Sequence, residues 1–132
     1  MEDNHAEHKR WDELTDELIA IYGVIRAVLV RLPLPIGLVH LDLGGGPEAV
    51  FRALQALNRA RLALISDQPL EERHKDLLQQ AILDWLLGWD MGSLTGIAKD
   101  PVGWRLDGLE RLIRQSEYAA GQVALDLDLG ED

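Results

Sequence analysis

From Trp11 to Leu32 an apolar residue returns every three or four positions: Trp11, Leu14, Leu18, Ile21, Ile25, Val28 and Leu32. Steps of three, four, three, four, three, four put all seven on one side of a helix. A strand, with its period of two, cannot align them. Such a helix is about 30 Å long, and its stripe must be covered by other elements. Asp12, Glu13, Asp16 and Glu17 occupy its other faces early. The later half, IAIYGVIRAVLV, is apolar nearly all round, which places it centrally or in an interface. Pro33 and Pro35 end it. Residues 1–8 precede the stripe and are expected to fray.

The segment LPIGLVHLDLGGG follows. Val39, Leu41 and Leu43 alternate with His40 and Asp42, which allows a short strand and a two-stranded β element. Pro47 and Glu48 suit the first turn of a second helix. Val50, Ala53, Leu54, Leu57, Ala60 and Leu64 form its stripe, although residues 60–66 also read as a strand. SDQP at 66–69 is a turn. A third helix is expected from near Pro69, with Leu70, His74, Leu77, Leu78, Ala81, Ile82, Trp85 and Trp89 on one broad face. Gly92 is expected to stop it. A fourth begins near Asp107, which has capping-box spacing to Glu110. Leu109, Leu112, Ile113, Ser116, Ala120 and Val123 follow at helical spacing. Residues 124–132 alternate apolar and acidic side chains and read as a short strand or a disordered acidic tail.

The 132 residues suit one domain, residues 1–132, able to bury a core without staples. Cysteine is absent. That removes disulfides, thiol nucleophiles and cysteine zinc sites, and a reducing cytoplasm is the simplest compartment. The apolar run from Leu18 to Leu43 contains Arg26, Arg31, His40 and Asp42, so it is not a membrane span. A formal net charge of -10 argues against nucleic acid and anionic membranes as ligands. It suits solubility or a basic protein partner.

Several motifs carry possible chemistry. LVHLDLGGGPEAVFRAL sets a short apolar run, a glycine turn and a helix in order. It resembles the first motif of Rossmann-type methyltransferases. That resemblance implies an α/β protein binding S-adenosylmethionine or a nucleotide, with Gly44, Gly46 and Asp67 as cofactor residues. The carboxylates at Glu13, Asp16 and Glu17, and at Glu71, Glu72 and Asp76, resemble the magnesium-holding clusters of MazG-type pyrophosphohydrolases. Here they lie opposite the apolar stripes, as a solvated face does, and no metal is expected. His74 sits on an apolar face, where a satisfied core histidine is expected. DLDLGED starts like a calcium loop but lacks the later ligands. No catalytic residue is assigned.

The stretch LLGWDMGSLTGIAKDPVGW, residues 86–104, sets tryptophans among glycines. Trp85 and Trp89 are one turn apart and share a face. The expected loop folds back so that Trp104 packs near Trp89 as a lid. AILDWLLGWD, the glycine-bearing loop and DPVGWRLDGLERLI resemble the C-terminal half of phage tail assembly chaperones. Gly88, Trp89, Pro101, Val102, Leu109 and Leu112 match that layout. The resemblance implies a non-enzymatic helical protein that holds an elongated, aggregation-prone protein partner.

The expectation is thus an all-α bundle of four main helices with a glycine-rich crossover. Its expected role is interaction or assembly without a cofactor. Ile21, Ile25, Val28, Trp89 and Trp104 are the expected partner-binding residues, with self-association through the first helix. The alternative is the small α/β ligand-binding protein built around Gly44, Gly46 and Asp67.

Overall fold

A computed structural model describes residues 2–98 and 103–128, with side-chain surroundings from residue 5 to 96 and from 103 onward. Four helices carry the fold: α1 (Glu2–Val30), α2 (Gly46–Arg59), α3 (Glu72–Ala98) and α4 (Gly103–Asp126). Among the described residues there is no strand. The chain is an all-α bundle.

The heptad stripe of α1 is buried from Leu14 to Leu32, and Tyr22 and Leu29 join it. Those two widen the stripe enough to meet two neighbours at once. α1 runs antiparallel to α3 and alongside α4. The Trp85 indole N–H donates to the Leu18 carbonyl at 2.7 Å. Arg10 binds Asp107 and Glu110 at 2.8 and 2.9 Å, and Arg114 binds Glu17 at 2.7 Å. α3 and α4 form an antiparallel hairpin, in which the Ser116 hydroxyl donates to the Ala81 carbonyl at 2.7 Å. Trp85 is fully buried where the helices meet, stacked on Trp89 at 5.4 Å and tilted against Tyr22 at 5.4 Å.

α1 ends as Pro33 and Pro35 require, and Ile36 N–H donates to the Leu29 carbonyl at 2.9 Å. The crossover then returns along α1. Tyr22 Oη donates to the Val39 carbonyl at 2.7 Å, and Arg26 Nε to the Leu38 carbonyl at 2.8 Å. These side-chain bonds stand in place of the ladder of the expected β element, since among the described residues there is no strand to pair with this segment. The expected alternation holds only in part. Ile36 and Leu38 are buried, Val39 and Leu43 are exposed, and Leu41 is half-buried against the core.

α2 starts on Pro47 and buries Ala53 and Leu57. Residues Ala60–Leu64 continue it as a π-helical turn, closed by Ile65 N–H on the Ala60 carbonyl at 3.0 Å. Residues 60–64 are therefore helical, and 65–67 form a turn. Gln68 clamps the two connections: its amide takes the Leu34 N–H at 3.0 Å and donates to the Leu34 carbonyl.

Four helix bounds differ from expectation. α1 is already helical at Glu2, so residues 2–8 join it. α3 runs through Gly92 and Gly96 to Ala98, and α4 begins at Gly103, before the Asp107 cap. α4 also absorbs the start of the expected tail, to Asp126. Residues 129–132 lie outside the described residues.

Candidate partner-binding site

Glycine inside a helix costs about 1 kcal/mol relative to alanine, so three at intervals of four need a packing reason. Gly88, Gly92 and Gly96 line one face of α3. A Cβ on Gly88 would stand 3.3 Å from Leu18, and one on Gly96 would stand 2.8 Å from the Trp11 ring. On Gly92 it would meet Leu109 at 3.7 Å. The glycines let α1 and α4 approach the α3 backbone closely. The Trp11 indole lies on that bare backbone and donates to the Gly92 carbonyl at 2.9 Å.

This crossing leaves an open groove of 470 Å³ between α1 and α3. Trp11, Thr15 and Leu18 form one wall, Trp89 and Ser93 the other, and Gly92 and Gly96 the floor. Its size lies within the roughly 300–1,000 Å³ typical of ligand pockets. The lining is apolar apart from two hydroxyls, both able to donate or accept. Asp12, Asp16 and Asp90 are exposed on the same two helices, each about 100° around the axis from its groove-lining neighbour. The groove is therefore lined by apolar surface and two hydroxyls, with no charged side chain in its lining. Farther around α3, Leu83, Leu87 and Leu94 are exposed.

The residues expected to bind a partner separate into three groups. Ile21, Ile25 and Val28 are buried in this chain's own core, at 4, 1 and 3% exposure, and present nothing to a partner. The all-round apolar half of α1 is covered by α3 and α4 on one side and by the returning crossover on another. Trp89 is half-buried and lines the groove. Trp104 is not a lid: it is 68% exposed in the first turn of α4, with the Arg105 guanidinium 5.0 Å from its ring. Because α3 runs on to Ala98, the break starts too late in the chain to carry Trp104 back to Trp89.

The glycine turn is filled by its own chain. Asp42 accepts the Gly45 N–H at 3.1 Å, and a Cβ on Gly45 would stand 2.8 Å from the Asp42 carboxylate. The space an anionic ligand would take beside that amide holds a carboxylate instead. Gly44 is part of the 3₁₀ turn Leu43–Gly45, and Gly46 takes a φ of 86°, which favours glycine. Asp67 is exposed in the turn after the π-helical segment, not at the end of a strand.

Two carboxylates show opposite electrostatics. Asp84, on α3, is buried with Oδ2 unpartnered, and desolvation pushes its pKa above the usual range. Asp126 binds Arg73 at 2.7 Å and lies 3.3 Å from His74 Nε2; the Arg73 hydrogen bond is the main cause holding its pKa below the usual range. His74 is buried and partnered as expected. Among the described residues no cluster of three metal-ligating side chains occurs. No described helix is long and apolar enough to cross a membrane.

No protein-family model matches this chain. No curated protein and no solved structure matches it either. The reading of the groove therefore stands on its geometry. Hydrophobic periodicity does not reveal the groove's floor, because glycine carries no side chain to count. Gly88-x₃-Gly92-x₃-Gly96 is a helical interval, and read as a packing stripe it places the groove's floor.

Proposed function

We propose that this chain is a non-enzymatic interaction or assembly protein of the cytoplasm that holds a protein partner in the α1–α3 groove. The observation that carries the reading is an open apolar channel with two indole walls and a backbone floor. Aromatic side chains around a desolvatable pocket are the usual energetic centre of protein recognition. The resemblance to phage tail assembly chaperones agrees with such a role. Of its matching residues, Gly88 and Leu109 serve the close helix packing, Trp89 walls the groove, and Pro101 and Val102 lie outside the described residues.

The test is a photo-crosslinking side chain placed at Ser93, in the groove, and separately at Glu117, exposed on α4. The expected result is a defined protein adduct at Ser93, absent at Glu117 and lost when Thr15→Trp fills the groove. Equal labelling at both positions, or a Ser93 adduct indifferent to Thr15→Trp, would overturn the reading.

A further inference from the structure

Where α1 ends, the returning crossover closes a second cavity. It measures 250 Å³ and is lined by Arg26, Ala27, Val30, Arg31, Gly37 and Leu38. Two arginines thus face one small space in a chain of net charge -10. No carboxylate lines it, and neither arginine forms an ion pair among the described residues. Arg10, Arg52, Arg73 and Arg114, by contrast, each pair with a carboxylate. Arg26 is positioned before any ligand arrives. Its Nε donates to the Leu38 carbonyl at 2.8 Å, and its Nη2 lies 3.2 Å from His40 Nε2. A guanidinium has five N–H donors, so three remain unspent. Arg31 makes no side-chain hydrogen bond among the described residues and keeps all five. Holding the crossover accounts for part of Arg26. A place just past the last turn of α1 suits Arg31, since the carbonyl end of a helix favours a cation. Neither role uses the remaining donors. The helix end itself carries only about half a negative charge, which two guanidiniums outweigh.

We propose that this cavity binds the phosphate group of a small molecule between Arg26 and Arg31. Planar guanidinium forks match the oxygens of phosphate and carboxylate groups two at a time. Charge separates those two classes. A phosphate monoester carries roughly -1.5 to -2 at neutral pH, the complement of two guanidiniums, whereas one carboxylate leaves a guanidinium unmatched. Size limits the rest of the ligand. The cavity is smaller than the roughly 300–1,000 Å³ of pockets for drug-sized molecules, so it takes a head group and a short body against Ala27, Val30 and Leu38. Polyanions such as nucleic acid need a broad basic face, which the net charge of -10 opposes. The site is independent of the groove. The groove's last residue on α1 is Leu18, and Arg26 lies about 12 Å farther along the helix.

Titration calorimetry at fixed ionic strength tests this with inorganic phosphate, butyl phosphate and acetate. Both phosphates are expected to saturate a single site per chain within tens of millimolar, and acetate to bind far more weakly. Tighter binding of butyl phosphate assigns the site to an ester, and tighter binding of inorganic phosphate assigns it to the free anion. Arg31→Gln breaks no bond within the protein. It should weaken both phosphates roughly tenfold or more, the loss of a charge-assisted contact. Arg111→Gln removes an exposed arginine on α4 that has no ion pair, makes the same change in net charge, and should leave binding as it is. Amide shifts on adding phosphate should concentrate at Ala27, Arg31 and Gly37. No saturation within tens of millimolar, acetate as tight as phosphate, an Arg31→Gln protein that binds like wild type, or shifts scattered over the surface overturns the proposal.

Discussion

At Gly96 the outcome of adding one methyl group is decided by Trp11. The new Cβ would come within 2.8 Å of the indole ring, which is pinned by its bond to Gly92. Gly96→Ala should destabilise the protein by about 1–3 kcal/mol, as overpacking does. Gly108, in α4, has nothing within 4 Å of the same position. Gly108→Ala should raise stability by about 0.5–1 kcal/mol through helix propensity alone. Urea titration of the pair checks both signs. The two carboxylates give a second contrast. Asp84 has a raised folded pKa, so its stabilising protonated form is present at low pH and lost as pH rises through that value. Asp84→Asn should therefore raise the melting temperature at neutral pH, with the gain shrinking toward acid. Asp126 has a lowered folded pKa, so its contribution is present above the unfolded value and lost as pH falls. Asp126→Asn should lower the melting temperature at neutral pH and have little effect in acid. Melting curves of both variants across pH 3–8 would show the slopes crossing; parallel curves would contradict the assignment.

Helices with a clean stripe were legible in the sequence because burial on one face is written as period. That holds for α1 and for the first five turns of α3. The end of α3 was not legible, because Gly92 reads as a stop when only propensity is weighed. Tertiary packing of Trp11 and Leu109 on that glycine face overrides the propensity. The crossover misled for a different reason. Val39, Leu41 and Leu43 alternate as well as Ile36 and Leu38 do, and the bonds from Tyr22 and Arg26 to the 38–39 backbone have no signature in that alternation. Gln68 belongs to this scale too, since it joins two connections 34 residues apart. Gln68→Ala leaves both backbone groups of Leu34 without that partner, at a cost of about 1–3 kcal/mol. Amide exchange at Leu34 should accelerate while exchange in the centre of α3 keeps its protection relative to global stability.

For the whole molecule, the burial of Ile25 changes what its substitution means. The sequence suggests that a charge there would separate subunits. In the structure Ile25 is 1% exposed inside a single chain's core. Ile25→Asp should cost several kcal/mol, a large part of the 5–15 kcal/mol that holds a domain folded. Circular dichroism should then show lost helix, whatever the protein concentration. The half of the site carried by Trp89 was legible; the half carried by Trp11 was hidden, because nothing local says that residue 11 lies on residues 92 and 96.

That separation also sets an order of events. α3 and α4 are neighbours in the chain and can pair across a short connection. α1 reaches them through contacts 67 to 100 residues apart, such as Leu18 with Trp85 and Arg10 with Glu110. Distant contacts demand more loop closure before they reward the chain. The groove has one wall on each side of that divide. If α1 docks last, that event assembles the groove, and the groove is lost when α1 lifts away. In pulsed hydrogen exchange during refolding, amides of the α3–α4 hairpin should gain protection before those of α1. Release of a bound partner would then need no change within the groove, only the departure of one helix.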